Sequence, residues 1–307
     1  MNKKLKIICD GDSWVFGSEI VDPKLAEQYG GPNIHPGAYD YFEENDQYRT
    51  PKIFPTFLSE IMDADVTNLS WPADDNGTIL NRTITYITTN YINKGIPTDD
   101  LFVIIGWSSP ERNVFWYKDD EMSRRFRLWP QVKHFDSPVQ EEFWKFYVTY
   151  LWNPEEYLPR YVMNVLQLQN FCEVNNIKWM CFNSFYQTPA MNVEQWYDLD
   201  IRTELANLQL DGAHIYNSEL KRRLHHQYEY SSIWESINNV RFYKKDVKNN
   251  TFKSFIESKE CSPVYIGWHP SPESHKVWAE ELANYIKENN LLKNIENEKS
   301  GNMRGLI

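Results

Sequence analysis

The sequence predicts an α/β protein, a three-layer α/β/α sandwich around a central parallel sheet. Three observations carry that expectation. Four short apolar runs, Leu5 to Cys9, Ala64 to Ser70, Leu101 to Gly106 and Lys178 to Phe182, have the length of buried strands. Between them lie stretches whose apolar residues recur at helical spacing. Strand and helix signals alternate, as they do in β-α-β units whose helices cover both faces of one sheet.

The first run, LKIIC, stops at Asp10-Gly11-Asp12-Ser13, the way a buried parallel strand ends in a tight turn. The second, ADVTNLS, leads into Trp71-Pro72. Ile79, Leu80, Ile84, Ile87 and Tyr91 then form one helical stripe, with Asp75 or Asn76 placed to cap its start. LFVIIG is the most hydrophobic strand candidate. Leu158, Tyr161, Val162, Val165, Leu166 and Cys172 mark a second amphipathic helix, just before the fourth run, KWMCF. A last helix is expected from Pro272 to Leu291. Ser271 caps it, Pro272 suits its first turn, and Trp278, Leu282 and Ile286 form its apolar stripe.

Three segments break the alternation: 18–52, 107–150 and 187–262, each rich in aromatic and charged residues and without clear periodicity. They read as loop insertions at one end of the sheet within a single domain spanning 1–293. Residues 294–307 read as a polar C-terminal tail.

Composition narrows the function classes. With 32 Lys and Arg against 43 Asp and Glu, the net charge of −11 opposes binding to nucleic acid or to an anionic membrane. Lys221, Arg222 and Arg223 read as a solvated helix face. No 18-residue apolar run exists to cross a bilayer. MNKKLK opens like a secretory signal, but Ile7, Ile8 and Cys9 make too short an apolar stretch, so no signal peptide and a cytoplasmic location are expected. Cys9, Cys172, Cys181 and Cys261 are scattered without a CxxC pair and read as buried thiols. His214, His225 and His226 lack Cys or carboxylate partners at ligand spacing, so neither metal nor cofactor is expected.

Ligands of open parallel sheets gather at the carboxyl ends of the strands. Standing there are Asp10 to Gly17 after the first strand, Asn68 to Ala73 after the second and Gly106 to Arg112 after the third. Gly267-Trp268-His269-Pro270-Ser271 precedes the last helix. A serine at a strand-to-helix turn presents its hydroxyl outward and its backbone N–H near a helix N-terminus, and Ser13 has that setting. Gly-Asp-Ser also reads as an ordinary turn with Ser13 as a helix cap.

These blocks, in this order, resemble the SGNH/GDSL hydrolase family. Gly11-Asp12-Ser13 matches its nucleophile block, Asn68 to Ala73 its second block, Gly106 to Ser109 its third and His269 its histidine block, with anchors spread from residue 5 to 290. More narrowly, GDSWVFG, GWSSPER and WHPSPESHKVWAEEL are similar to GDSL-like proteins of tailed bacteriophages. The resemblance implies a flavodoxin-like sandwich and a serine esterase acting on a small ester, such as an acetyl group on a carbohydrate, without a cofactor. Ser13 would be the nucleophile and His269 the base. The oxyanion donors would be the N–H groups of Ser13 and Ala73 and the hydroxyl of Ser108, with Asp12, Trp107 and Trp268 at the substrate pocket. If phage-encoded, the chain would sit in the host cytoplasm or in the virion.

The chain departs from the family pattern at three places. Ala73 stands where a glycine is usual, Ser108 where an Asn is usual, and Ile266 where the acid partner of the histidine is usual. That leaves a backbone carbonyl or a distant carboxylate to hold His269, with Asp10 and Asp12 candidates by proximity and Asp12 more naturally a turn-former. His275 is expected to be a partly exposed helix residue. The same departures suit a second reading, a catalytically weakened protein that keeps the fold for binding or as a virion component. A nucleotide-binding reading lacks any G-x-G-x-x-G or P-loop pattern.

Overall fold

Alternation of side chains along the apolar runs decides the architecture. The computed structural model describes residues 4–29, 35–118, 123–128, 137–151, 154–185, 236–245, 250–261 and 269–293. In chain order the elements are β1 (Lys6–Gly11), α1 (Ser13–Phe16), α2 (Pro23–Tyr29), α3 (Glu43–Arg49), α4 (Phe54–Met62), β2 (Asp65–Asn68) and α5 (Asn76–Asn90). Then come β3 (Leu101–Trp107), β4 (Asn113–Lys118), β5 (Ser123–Leu128), α6 (Pro138–Phe146), α7 (Pro154–Val174), β6 (Lys178–Asn183), α8 (Phe252–Ser258) and α9 (Pro272–Glu288).

β1, β2, β3 and β6 form one parallel sheet in the order β2-β1-β3-β6. Odd and even positions of each strand face opposite layers. Ile7, Cys9, Phe102, Ile104, Met180 and Phe182 pack toward Phe54 and Leu58 of α4, Phe252 of α8 and Trp278, Leu282 and Ile286 of α9. Ile8, Val103, Ile105, Trp107, Trp179 and Cys181 pack toward Ile79, Leu80 and Ile87 of α5 and Val165, Leu168 and Cys172 of α7. Burial on both faces explains why these strands read as continuous apolar runs. The result is the three-layer α/β/α sandwich with a parallel central sheet.

The sequence did not single out α4, which packs against α9 and completes one outer layer. Inside 107–150, β4 and β5 pair as an antiparallel hairpin. Asp75 holds that hairpin to the body of the protein. Its Oδ1 accepts the Thr78 N–H at 2.7 Å, capping α5, and its Oδ2 accepts the Val114 N–H at 2.7 Å. Part of 187–262 also belongs to the sheet rather than to a loop: Phe242 and Thr251 bridge in parallel to Cys181 and Asn183 on the free edge of β6. Residues 294–307 and His214, His225 and His226 lie outside the described residues. Among the described residues no helix is long and apolar enough to cross a membrane.

His275 corrects one expectation, because it is fully buried rather than partly exposed. It stands one turn before Trp278 on the inward stripe of α9, stacks on Phe54 and accepts the Phe54 N–H on Nδ1 at 3.2 Å. Burial, with a smaller push from His269, lowers its pKa to about 3. The unfolded chain takes up this proton near pH 6.5 and the folded chain does not, so folding loses stability as pH falls from about 6.5 toward 3. The expected slope from this group approaches about 1.4 kcal/mol per pH unit. Urea unfolding at pH 6.5 and pH 5 checks it. His275→Asn, which keeps an acceptor for Phe54, should lose that part of the slope, and equal slopes in the two proteins would refute the assignment.

Candidate active site

Two glycines bring the nucleophile turn down onto the strand ends. Gly11 of β1 pairs with Gly106 of β3. A Cβ on Gly11 would lie 2.2 Å from Val15 Cγ2 and 2.7 Å from the Gly106 carbonyl, and one on Gly106 would lie 2.5 Å from Val15. Only glycine at both positions lets α1 sit this close. Ser13 opens α1, is 7% exposed and follows the N-cap residue Asp12. At four residues α1 is one turn, so what it offers an oxyanion is the backbone N–H and not the dipole of a long helix.

Asp12, expected at the substrate pocket, is fully buried. Its Oδ1 accepts the Trp14 N–H at 3.0 Å. Its Oδ2 accepts the Ser108 hydroxyl at 2.7 Å and Arg112 Nη1 at 3.2 Å. Ser108, read as an oxyanion donor, therefore directs its proton to Asp12, while Arg112 Nη1 donates to its oxygen at 2.8 Å. Asn76 fixes the same loop from below, donating to the Ser108 carbonyl at 3.1 Å and accepting the Ser108 N–H at 2.8 Å.

The second block is held by its own polar residues. Asn68 Oδ1 accepts both the N–H and the hydroxyl of Ser70, at 3.2 and 2.7 Å, and its amide reaches the Val15 carbonyl at 3.4 Å. Ala73 has φ 58°, in the left-handed region where glycine is usual. Next to it, buried Asp74 and Asp10 share Arg82, whose guanidinium contacts both carboxylates. Thr83 Oγ1 and the Gly11 N–H also bond to Asp10, at 2.8 and 2.7 Å. Burial raises the Asp10 pKa and Arg82 pulls it back. Asp10 and Asp12 are thus both engaged away from His269.

The carboxylate facing His269 belongs to Glu19. Gly17 ends α1 at φ 79°, Ser18 N–H returns to the Ser13 carbonyl at 3.0 Å, and Glu19 turns inward at φ 68°. Glu19 is buried, and its Oε1 lies 3.1 Å from His269 Nδ1 in an oblique contact that is not in line for a hydrogen bond. His35 Nε2 lies 4.0 Å from the same oxygen. The His269 side chain is 20% exposed, and its ring lies 6.4 Å from that of Trp14, the neighbour of Ser13.

Trp107 corrects another expectation. Expected beside the substrate, it is fully buried in the layer beneath the sheet, edge-on to Tyr161. Trp268 and Ile266 lie outside the described residues. The exposed aromatics near the strand ends are others. Trp71, 43% exposed, packs against Phe16 of α1 and against Tyr41, which is 52% exposed.

A family model described as a family of unknown function (DUF6071) matches residues 40–300, a span that includes His269 and begins after Ser13 and Glu19. No curated protein is significantly similar to the chain. Among solved structures it is similar to a carbohydrate esterase whose active site displays divergent catalytic and non-catalytic binding functions. That match has 15% identity and TM-score 0.44, over 95% of this chain and 68% of the other. A protein from Desulfitobacterium hafniense described as lipolytic and of the G-D-S-L family matches at 10% identity and TM-score 0.35, over 92% and 99%. A carbohydrate esterase family 2 enzyme with a carbohydrate-binding domain, from Corynascus thermopiles (Myceliophthora fergusii), matches at 11% and TM-score 0.40, over 94% and 67%.

Proposed function

For this chain, which belongs to the DUF6071 family of unknown function, we propose the activity of a serine ester hydrolase with Ser13 as nucleophile, His269 as base and Glu19 as the acid that orients it. The observation that carries the reading is the buried Glu19 carboxylate 3.1 Å from His269 Nδ1, on the loop that leaves the Ser13 turn. A small rotation of the imidazole would turn Nδ1–H to Glu19 and leave Nε2 of His269 as the basic nitrogen. It takes the Ser13 proton as Oγ attacks the ester carbonyl. The N–H groups of Ser13 and Ala73 receive the oxyanion, the left-handed backbone of Ala73 supplying the conformation a glycine would otherwise give. Collapse of the tetrahedral intermediate passes the proton from His269 to the leaving alcohol. Water, deprotonated by the same nitrogen, then releases the acid from the acyl-enzyme.

The substrate class we assign is a small acyl ester on a carbohydrate. Trp71, on the segment leading to Ala73, and Tyr41, packed against it, support it, since they offer exposed ring surface suited to the apolar face of a sugar. Reaction with a fluorophosphonate probe, followed by peptide mapping, tests the activity. The expected product is one adduct, on the peptide containing Ser13, together with measurable hydrolysis of aryl acetates. No adduct, and aryl acetate hydrolysis no faster than with heat-denatured protein, would overturn the reading in favour of a non-catalytic binding protein.

A further inference from the structure

We infer that Asp40 is a positioning residue for Glu19, and that the segment from His35 to Arg49 is the frame that holds the acid of the site in place. The inference rests on the Ser13, His269 and Glu19 assignment above. Glu19 needs such a frame, because a residue with a long side chain at φ 68° is held against its own preference. Three hydrogen bonds from one inserted segment fix its loop. Asp40 Oδ1 accepts the Glu19 N–H at 3.1 Å, Asn45 Nδ2 donates to the Ile20 carbonyl at 2.9 Å, and Asn45 Oδ1 accepts the Asp22 N–H at 2.9 Å. Asp40 and Asn45 are both buried.

The frame is also braced by a buried arginine. Arg49, buried, lies 3.8 Å from Asp40 Oδ1 and donates to the Asp40 carbonyl at 3.4 Å, and its guanidinium stands 3.7 Å above the Phe16 ring. Arg49 also contacts the Asp46 carboxylate, so it ties two carboxylates of the segment together beside Phe16. Because Phe16 belongs to α1, the same contacts tie the frame back to the turn that carries Ser13. Asp40 meets the backbone of Glu19, so what it contributes is an acceptor at one place and not a second catalytic carboxylate.

That distinction sets the test. Asp40→Ala is expected to lower kcat for an aryl acetate about 10–100-fold with KM within about twofold, as misplacement of a catalytic group does. Asp40→Asn, whose amide oxygen still accepts, should recover kcat to within about threefold of the parent. In a Glu19→Gln background, Asp40→Ala should cost less than about a further twofold, because the two residues act as one unit. Should Asp40→Ala fail to fold, Asp40→Ser, whose hydroxyl falls short of Glu19, takes its place.

Unchanged kcat in Asp40→Ala, failure of Asp40→Asn to rescue, or losses that multiply with Glu19→Gln would each overturn the inference. If Glu19→Gln alone leaves kcat intact, it is the assignment of Glu19 as acid that has failed. The frame is then judged on the Nδ1–H proton resonance of His269: loss in Asp40→Ala and retention in Asp40→Asn support it, and an unmoved resonance in Asp40→Ala refutes it.

Discussion

Ser13→Ala should lower aryl ester hydrolysis about 10⁵–10⁶-fold, with His269→Ala close behind and the double variant no slower than either. The non-additivity follows from the division of labour: without Oγ the imidazole has no proton to take, and without the imidazole Oγ is a weak nucleophile at neutral pH. A residual rate about 10³–10⁴-fold above water should survive, because the backbone N–H donors of Ser13 and Ala73 do not depend on either side chain. The fold should be indifferent. Ser13 opens a one-turn helix whose cap is Asp12, and Asp12 keeps its bonds to Trp14, Ser108 and Arg112 when Ser13 becomes alanine. Initial rates, with thermal melts as the control for folding, make the measurement. Turnover that persists in Ser13→Ala would mean that another group attacks the ester.

What the sequence disclosed of the fold follows from how local each signal is. β1, β3 and β6 were legible because strands buried on both faces carry unbroken apolar runs, whereas β2, at the sheet edge, is polar and only partly buried. The helices at 76–90 and 272–288 were legible through their stripes and their caps, Asp75 and Ser271. Trp107 was misread although the information was present: it keeps step with Val103 and Ile105, and strand alternation sends all three to the same buried layer. His275 was likewise misread, since it begins the stripe that continues through Trp278, Leu282 and Ile286. Ser108 was a different case. Which acceptor a hydroxyl chooses depends on the groups that tertiary structure brings to it, and nothing around residue 108 names Asp12.

Glu19 was hidden for a similar reason. Its partner His269 lies at the other end of the chain, and the position where the acid was sought holds Ile266. A faint signal did exist: Glu19 is a lone charge between Phe16-Gly17-Ser18 and Ile20-Val21, and a carboxylate in such company is buried only when something meets it. The frame around it was less legible still. Asp40, Asn45 and Arg49 look like ordinary polar residues of a segment without periodicity, and their role arises only when the chain folds back over α1.

Glu19→Gln carries the second large expected effect, a fall in turnover of about 10³–10⁴-fold at neutral pH, comparable to the loss when the acid of a serine protease triad becomes its amide. Glutamine matches the shape of glutamate, so the loop and its bonds to Asp40 and Asn45 have no steric reason to move. What changes is the instruction given to the imidazole. A carboxylate accepts only, which keeps the proton on Nδ1 and the lone pair on Nε2; an amide can turn its NH₂ toward Nδ1 and favour the opposite tautomer, leaving Nε2 protonated and useless as a base. The amide also lacks the charge that stabilises the imidazolium formed during attack. Stability should move little or in the other direction, because a buried charge is replaced by a neutral group of equal size. The expected signature is therefore a large loss of kcat with an unchanged or higher Tm, the opposite of what a purely structural carboxylate would give. If Glu19→Gln keeps turnover within about threefold while Ser13→Ala abolishes it, His269 works in a dyad and the 3.1 Å contact is structural.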